Sequence, residues 1–316
     1  MTHHSASHDS RAIVDRIADS DIVSLISESF SASLKSWVKI AATAILGLLF
    51  IFSFGIVLGA TQIKAMEHLI ELMRMTGENT GGLINAYNDT AVATNFFVLQ
   101  KDSTYQYHLQ SVFVYIGIII VAGLLLWILF EGISWWLVYS SSKEKGAGLG
   151  FLRFIRNFSI VSAFFHILTV LLIIFSVKLM FNQLTSITPI LGKKAMDILF
   201  FIGVCVIWYF GALAYAMDDK KTYKNIKDAF VFGTTKILKI LPSVIVFFVL
   251  MLNVDFILRL LAFNVTVMVI GGIILFFPVY FFCRVLLFKT VEKHWYGTAR
   301  SEHHVHSAHK RHRVWS

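Results

Sequence analysis

The 316 residues are 57% hydrophobic and only 15% charged, with a mean hydropathy of +0.71. Those proportions exclude an ordinary soluble domain. The apolar residues collect into continuous runs of about 20, long enough to cross a hydrocarbon core as helices and unlike the short alternating segments of a β-barrel.

Residues 1–20 read as a disordered tail. The first 36 residues are too polar for a cleavable signal peptide, so the first span is expected to stay as an uncleaved anchor. From Asp21, residues Ile22, Ile26, Phe30 and Leu34, with Leu25 beside them, put one apolar stripe on a helix otherwise lined by Ser24, Glu28, Ser29 and Ser31. Such a helix lies along a membrane surface or against neighbouring spans. The first span is placed at 40–60 and carries Gly55-x-x-x-Gly59, a small-residue spacing suited to close helix packing, within the molecule in preference to dimerisation.

Residues 61–110 form the one large loop. Gly77 and Gly81-Gly82 are expected to break any extension of the first helix, and Asn88-Asp89-Thr90 is a glycosylation sequon. The second span is placed at 111–130 and continues to Trp135-Trp136 and Tyr139; the third is placed at 158–181 and the fourth at 198–216. A basic segment, Asp218 to Lys224, leads into an amphipathic stretch through Lys239, and Pro242 then introduces a fifth span at 240–263. Asn264 alone separates it from the sixth, at 265–283, and residues 289–316 form a basic, histidine-rich tail.

Of 28 Lys and Arg, four lie in 1–39, four in 141–156, six in 217–239 and seven in 284–316. Cytoplasmic segments carry the cationic excess, so both termini are expected in the cytoplasm of a cell that holds this chain in its plasma membrane. Anionic headgroups on that side then account for the net charge of +9 without nucleic acid. The fold class expected is all-α, with six transmembrane helices in three pairs (21–139, 147–216, 226–288), each preceded by a cytoplasmic interfacial helix. Three helix pairs preceded by basic elbows, at Lys220–Pro242 and Lys143–Ser162, resemble the membrane domain of certain glycerophosphodiester phosphodiesterases and its stand-alone prokaryotic relatives. The catalytic domain of those enzymes has no counterpart here, so the resemblance implies a helical membrane module and no catalytic residue.

Charged groups at membrane depth need a partner or a purpose. Glu131 and Arg284 each follow the outer start of their span by a similar distance, which suggests an ion pair between the second and sixth spans. Asp255 and Arg259 lie four apart on the fifth span beside Asn253, the spacing of a local salt bridge. His166, midway along the third span, reads as hydrogen-bonded structure. Cys205 and Cys283 fall in apolar runs as core filler, and the terminal histidines lack the partners that would complete a metal site. No Walker motif, nucleophile elbow or HExxH occurs, and no cofactor is implied. The expectation is a non-enzymatic membrane protein, a scaffold, assembly or lipid-environment factor, whose partners are the bilayer and other membrane proteins. The second reading is a small transporter or channel with a path past Asp255, Arg259 and His166.

Overall fold

A computed structural model describes residues 21–81, 102–142, 150–185, 193–217 and 222–296. Outside them lie both tails (1–20 and 297–316), the sequon at Asn88, the Lys143–Lys145 segment, the Thr188-Pro189 turn with Gly192, and Lys220-Lys221. The described residues form helices joined by short turns: α1 (Asp21–Leu34), α2 (Trp37–Gly81), α3 (Ser103–Leu126), a π-helical turn (Trp127–Glu131), α4 (Gly132–Ser142), α5 (Phe151–Thr185), α6 (Lys193–Ala216), α7 (Thr222–Thr235), α8 (Ile237–Leu260), α9 (Val265–Val291) and a closing π-helical turn (Glu292–Tyr296). Six helical stretches among them are long and apolar enough to cross a membrane: Trp37–Met75, Ser103–Ser142, Phe151–Leu179, Lys194–Ala216, Ile237–Leu260 and Val265–Tyr296. At most 22% of any of their apolar windows is buried within the protein. Apolar surface left open on that scale calls for lipid as the surrounding solvent, so the chain is an integral, multi-pass membrane protein.

Several boundaries differ from the sequence expectation. Helix α2 runs through Gly77 to Gly81, so the loop is shorter than 61–110. Strong helix formers fill that stretch, and Lys64–Glu67 and Glu71–Arg74 add ion pairs along its surface. Helix α3 starts sharply because the Asp102 side chain accepts from the backbone N–H groups of Thr104 and Tyr105, and Asn264 caps α9 in the same way. Helical structure continues past 288 to Tyr296. The break before the fifth span falls at Lys236 (φ −117°, ψ 25°), and Pro242 lies inside α8. Ahead of the third span the described residues show no separate helix, since α5 begins at Phe151 and runs unbroken to Thr185.

The chain falls into two units, Gly47–Glu131 and the remainder. In the smaller unit the two helices meet through side chains. Phe50 stacks on Phe54 and meets Trp127 edge-on, each at 5.9 Å. His68 and His108 share a hydrogen bond between their Nδ1 atoms at 2.8 Å, with Tyr107 and Tyr115 against the His68 ring.

In the larger unit α8 packs on α9, α5 on α6, α1 along α9 and against α4, and α7 across α5, α6 and α8. Its core is an aromatic cluster. Trp135 and Tyr139 of α4 both contact Phe288 of α9; Tyr139 also stacks on Phe154, while Trp135 and Phe158 both contact Tyr215. Ring pairs of this kind add about 0.5–1.5 kcal/mol each beyond the area they bury. Polar side chains at the end of α6 are satisfied locally: Ser162 and Tyr215 share a hydrogen bond, Thr222 donates to Asn157 Oδ1, and Asn225 donates to the Met217 carbonyl.

The two helix–turn–helix elbows in this unit correspond residue by residue. In one, the N–H groups of Lys39 and Ile40 both donate to the Ser36 carbonyl; in the other, those of Lys239 and Ile240 both donate to that of Lys236. A buried hydroxyl residue follows one turn later, Thr43 in the first and Ser243 in the second. On the preceding helix, buried Ser29 and Ser33 match buried Ala229 and Gly233.

Candidate functional site

Among the described residues of the larger unit, the most deeply held charged side chain is Arg284, only 2% exposed. Counting about 1.5 Å per residue, it lies about 28 Å along α9 from Val265, close to the full depth of a hydrocarbon core. Its guanidinium carbon sits 3.8 Å from the Tyr280 ring centroid and 4.6 Å from that of Trp135. Nη1 donates to Ser134 Oγ at 2.7 Å. Tyr280 precedes Arg284 by one helical turn and so shares its face, while Ser134 and Trp135 are supplied together by α4. A planar cation between two rings is well suited to arginine, whose weakly hydrated face stacks where an ammonium would need more water.

Beside this stack is a small recess, with room of about 40 Å³ for the centres of water-sized spheres, lined by residues of α4, α6, α8 and α9. Its lining includes the polar Tyr209, Ser243, Tyr280 and Arg284 beside Trp135, and the apolar Leu213, Val244, Phe247 and Leu287. Two hydroxyls on its rim are engaged. Ser243 and Thr290 share a buried hydrogen bond at 2.7 Å, and Tyr209 donates to the Gly233 carbonyl at 3.0 Å, tying α7 to α6. Trp135 Nε1 is buried with no hydrogen-bond partner among the described residues. No carboxylate is among the described residues that line the recess.

Of the residues singled out on the third and fifth spans, none lines the recess. Glu131 is buried at the end of the π-helical turn. Arg259 Nε donates to Asp255 Oδ2 at 2.7 Å, and both residues are exposed, as is Asn253, which donates to the Val249 carbonyl. His166 is half-buried on α5. A Cβ built at Gly55 or Gly59 meets nothing within 4 Å, so the close packing expected at that pair is not made among the described residues; Gly123, packed against Phe54, makes it in their place. Gly55→Ala and Gly59→Ala are therefore expected to leave stability unchanged or raise it by up to about 1 kcal/mol each through helix propensity. A thermal melt in detergent checks this, and a drop at either position would reveal a packing partner. Among the described residues no three His, Cys, Asp or Glu side chains converge as metal ligands.

The residues that build the recess around Arg284 were not marked by the sequence. Trp135, Trp208, Ser243 and Tyr280 look like ordinary members of apolar runs, and only the fold brings them to one side chain. The one available signal was the paired elbow, Lys39-Ile40 and Lys239-Ile240, each followed by a hydroxyl residue a turn later. Comparison with family models, with curated proteins and with solved structures yields no match.

Proposed function

We propose that this is a non-enzymatic protein of the cell membrane, six spans in three helix pairs with both termini cytoplasmic, that acts as a scaffold, assembly or lipid-environment factor through α1 and α7 at the inner leaflet. The observation that carries this is the way those two helices dock. Each docks on the bundle through one face, with Leu25, Ser29 and Ser33 buried on α1, and Asn225, Ala229, Phe232 and Gly233 buried on α7. The stripe formed by Phe30 and Leu34 is left exposed. The elbows continue the exposed apolar surface, Trp37 at 70% and Leu238 at 80%, with Lys35 and Lys239 beside them. Aromatic and aliphatic groups next to lysines are what a helix needs in order to lie among headgroups. The docking itself is held by Phe30 edge-on to Phe282, by Lys289 near Glu28, and by Lys293 donating to Ser24.

The arrangement favours this over a transport path. Asp255 and Arg259 are exposed and bonded to each other, as a surface pair on a helix would be. Helix α9 also runs unbroken through Gly271-Gly272 and Pro278, whereas transporters commonly break helices at mid-membrane.

The test uses spin-labelled lipids in bilayers containing the full-length protein. Wild type is expected to enrich phosphatidylglycerol over phosphatidylcholine in its fast-exchanging boundary shell. Replacing Lys35, Lys227 and Lys239 together by glutamine should reduce that enrichment markedly, at about 1 kcal/mol per cation near the surface. Equal enrichment by wild type and triple variant would remove the elbows from the account.

A further inference from the structure

We propose that His68 and His108 form a binding site for a single zinc ion, which clips α2 to α3 within the smaller unit. Helix register brings the two imidazoles together. On α2, Thr61, His68 and Leu72 recur at intervals of seven and four, and Thr61 and Leu72 are both buried, so His68 lies on the inward face. On α3, His108 shares a face with Tyr115, seven residues further on. The two Nδ1 atoms stand 2.8 Å apart, each ring is half-buried, and neither makes another hydrogen bond among the described residues. Neighbouring rings hold the pair in place. Tyr115 lies nearly parallel to His68 at 5.8 Å, while Tyr107 meets His68 edge-on at 5.7 Å and contacts His108 at 5.3 Å. Packing of that kind fixes ligands before the ion arrives.

Ring spacing selects the ion. Imidazole serves zinc, copper, nickel and iron alike, so geometry has to discriminate among them. With metal–nitrogen bonds of about 2.0–2.1 Å, and about 1.1 Å from ring centre to nitrogen, each ring centre stands about 3.2 Å from the ion. The His68 and His108 centres are 5.1 Å apart and so subtend about 107° at such an ion. That is close to tetrahedral, whereas a square-planar copper or nickel site would draw the centres in to about 4.5 Å. Tilting the rings about fixed centres turns the two nitrogens from each other to the ion. The shared proton is displaced: the donor ring gives it up at Nδ1 and carries one at Nε2 instead, so both coordinate as neutral imidazoles. Glu67 and Glu71, the carboxylates beside His68 on α2, are bonded to Lys64 and Arg74, which leaves the two remaining positions to water. His68 follows the apolar run at 40–60 and His108 precedes the one at 111–130, so the pair stands at the end of the helix pair that ions reach from water.

The site is independent of the lipid-environment reading and of α1 and α7. The full-length protein in detergent is titrated with cobalt(II), whose tetrahedral complexes absorb strongly in the visible. The histidines of 1–20 and 297–316 are replaced by alanine in this parent protein, so that the tails cannot chelate the ion. One cobalt per chain is expected, with a tetrahedral spectrum that excess zinc(II) bleaches. His68→Ala and His108→Ala should each weaken binding by no less than the roughly 10–100-fold that loss of a supporting group costs a metal site. If alanine lowers the melt, His68→Gln serves instead, because its amide can still donate to His108 Nδ1; it too should lose the ion. Zinc should raise the melt of the parent protein and leave those of the variants unmoved. A spectrum in the parent protein that is octahedral, or that zinc does not bleach, would overturn the proposal. So would undiminished cobalt binding by a well-folded His68→Gln or His108→Ala protein. A melt that moves with pH and not with zinc would reduce the pair to a plain hydrogen bond and would overturn it as well.

Discussion

Arg284→Ala is expected to lower the stability of the protein by about 3–5 kcal/mol. The loss combines a charged hydrogen bond to Ser134, worth about 1.5–3 kcal/mol, with a desolvated cation–π stack on Trp135 and Tyr280, worth about 2. Removing a buried charge also relieves its desolvation, which keeps the total from being larger. Arg284→Lys should recover less than half of the loss, because an ammonium restores the charge but not the flat surface lying between the two rings. Equilibrium unfolding of both variants in mixed micelles gives the comparison. Lysine and alanine variants of equal stability would show that charge, not stacking, sets the balance, and a stable alanine variant would show that neither does.

Gly233→Ala should cost about 1–3 kcal/mol, against the propensity gain alanine brings to a helix interior. The added carbon would lie 2.7 Å from Phe210 Cε1 and 3.0 Å from Leu213 Cδ1. Neither can retreat easily: the Phe210 ring lies 4.5 Å from that of Phe230, and Leu213 is fully buried. Helix α7 would have to lift, weakening the Tyr209 bond to the Gly233 carbonyl on the rim of the recess. Gly203→Ala is the control, since its nearest neighbours are the methyl ends of Leu172, which can rotate away. A melt for Gly233→Ala equal to that of the control would mean that α7 is not seated as closely as drawn.

The spans were legible because lipid imposes a length and continuity that no other environment demands. The termini of α3 and α9 follow from Asp102 and Asn264, whose short side chains cap helices directly. The site was much less legible. Arg284 stood out, since a cation in an apolar run always asks for an explanation. Its surroundings did not, because Trp135, Tyr280 and Ser134 gain meaning only when two elements distant in sequence meet. Which residues of α1 dock was not legible for a related reason. In water the apolar stripe of an amphipathic helix turns inward; here Phe30 and Leu34 are exposed while Ser29 and Ser33 let the helix approach α9 closely. Pro242 misled too, because the backbone breaks earlier, at Lys236, where the carbonyl accepts from both Lys239 and Ile240.

The claim on which the rest depends is that α1 and α7 lie on one face of the bilayer, the cytoplasmic one. Cysteine labelling with a membrane-impermeant maleimide tests it most directly, using Ser31→Cys and Lys227→Cys, both at exposed positions, in a background where Cys205 and Cys283 are serine. Both cysteines should stay unlabelled in intact cells and react in inverted vesicles, whereas Gly82→Cys should show the reverse. Labelling of either helix position from outside intact cells would contradict the account.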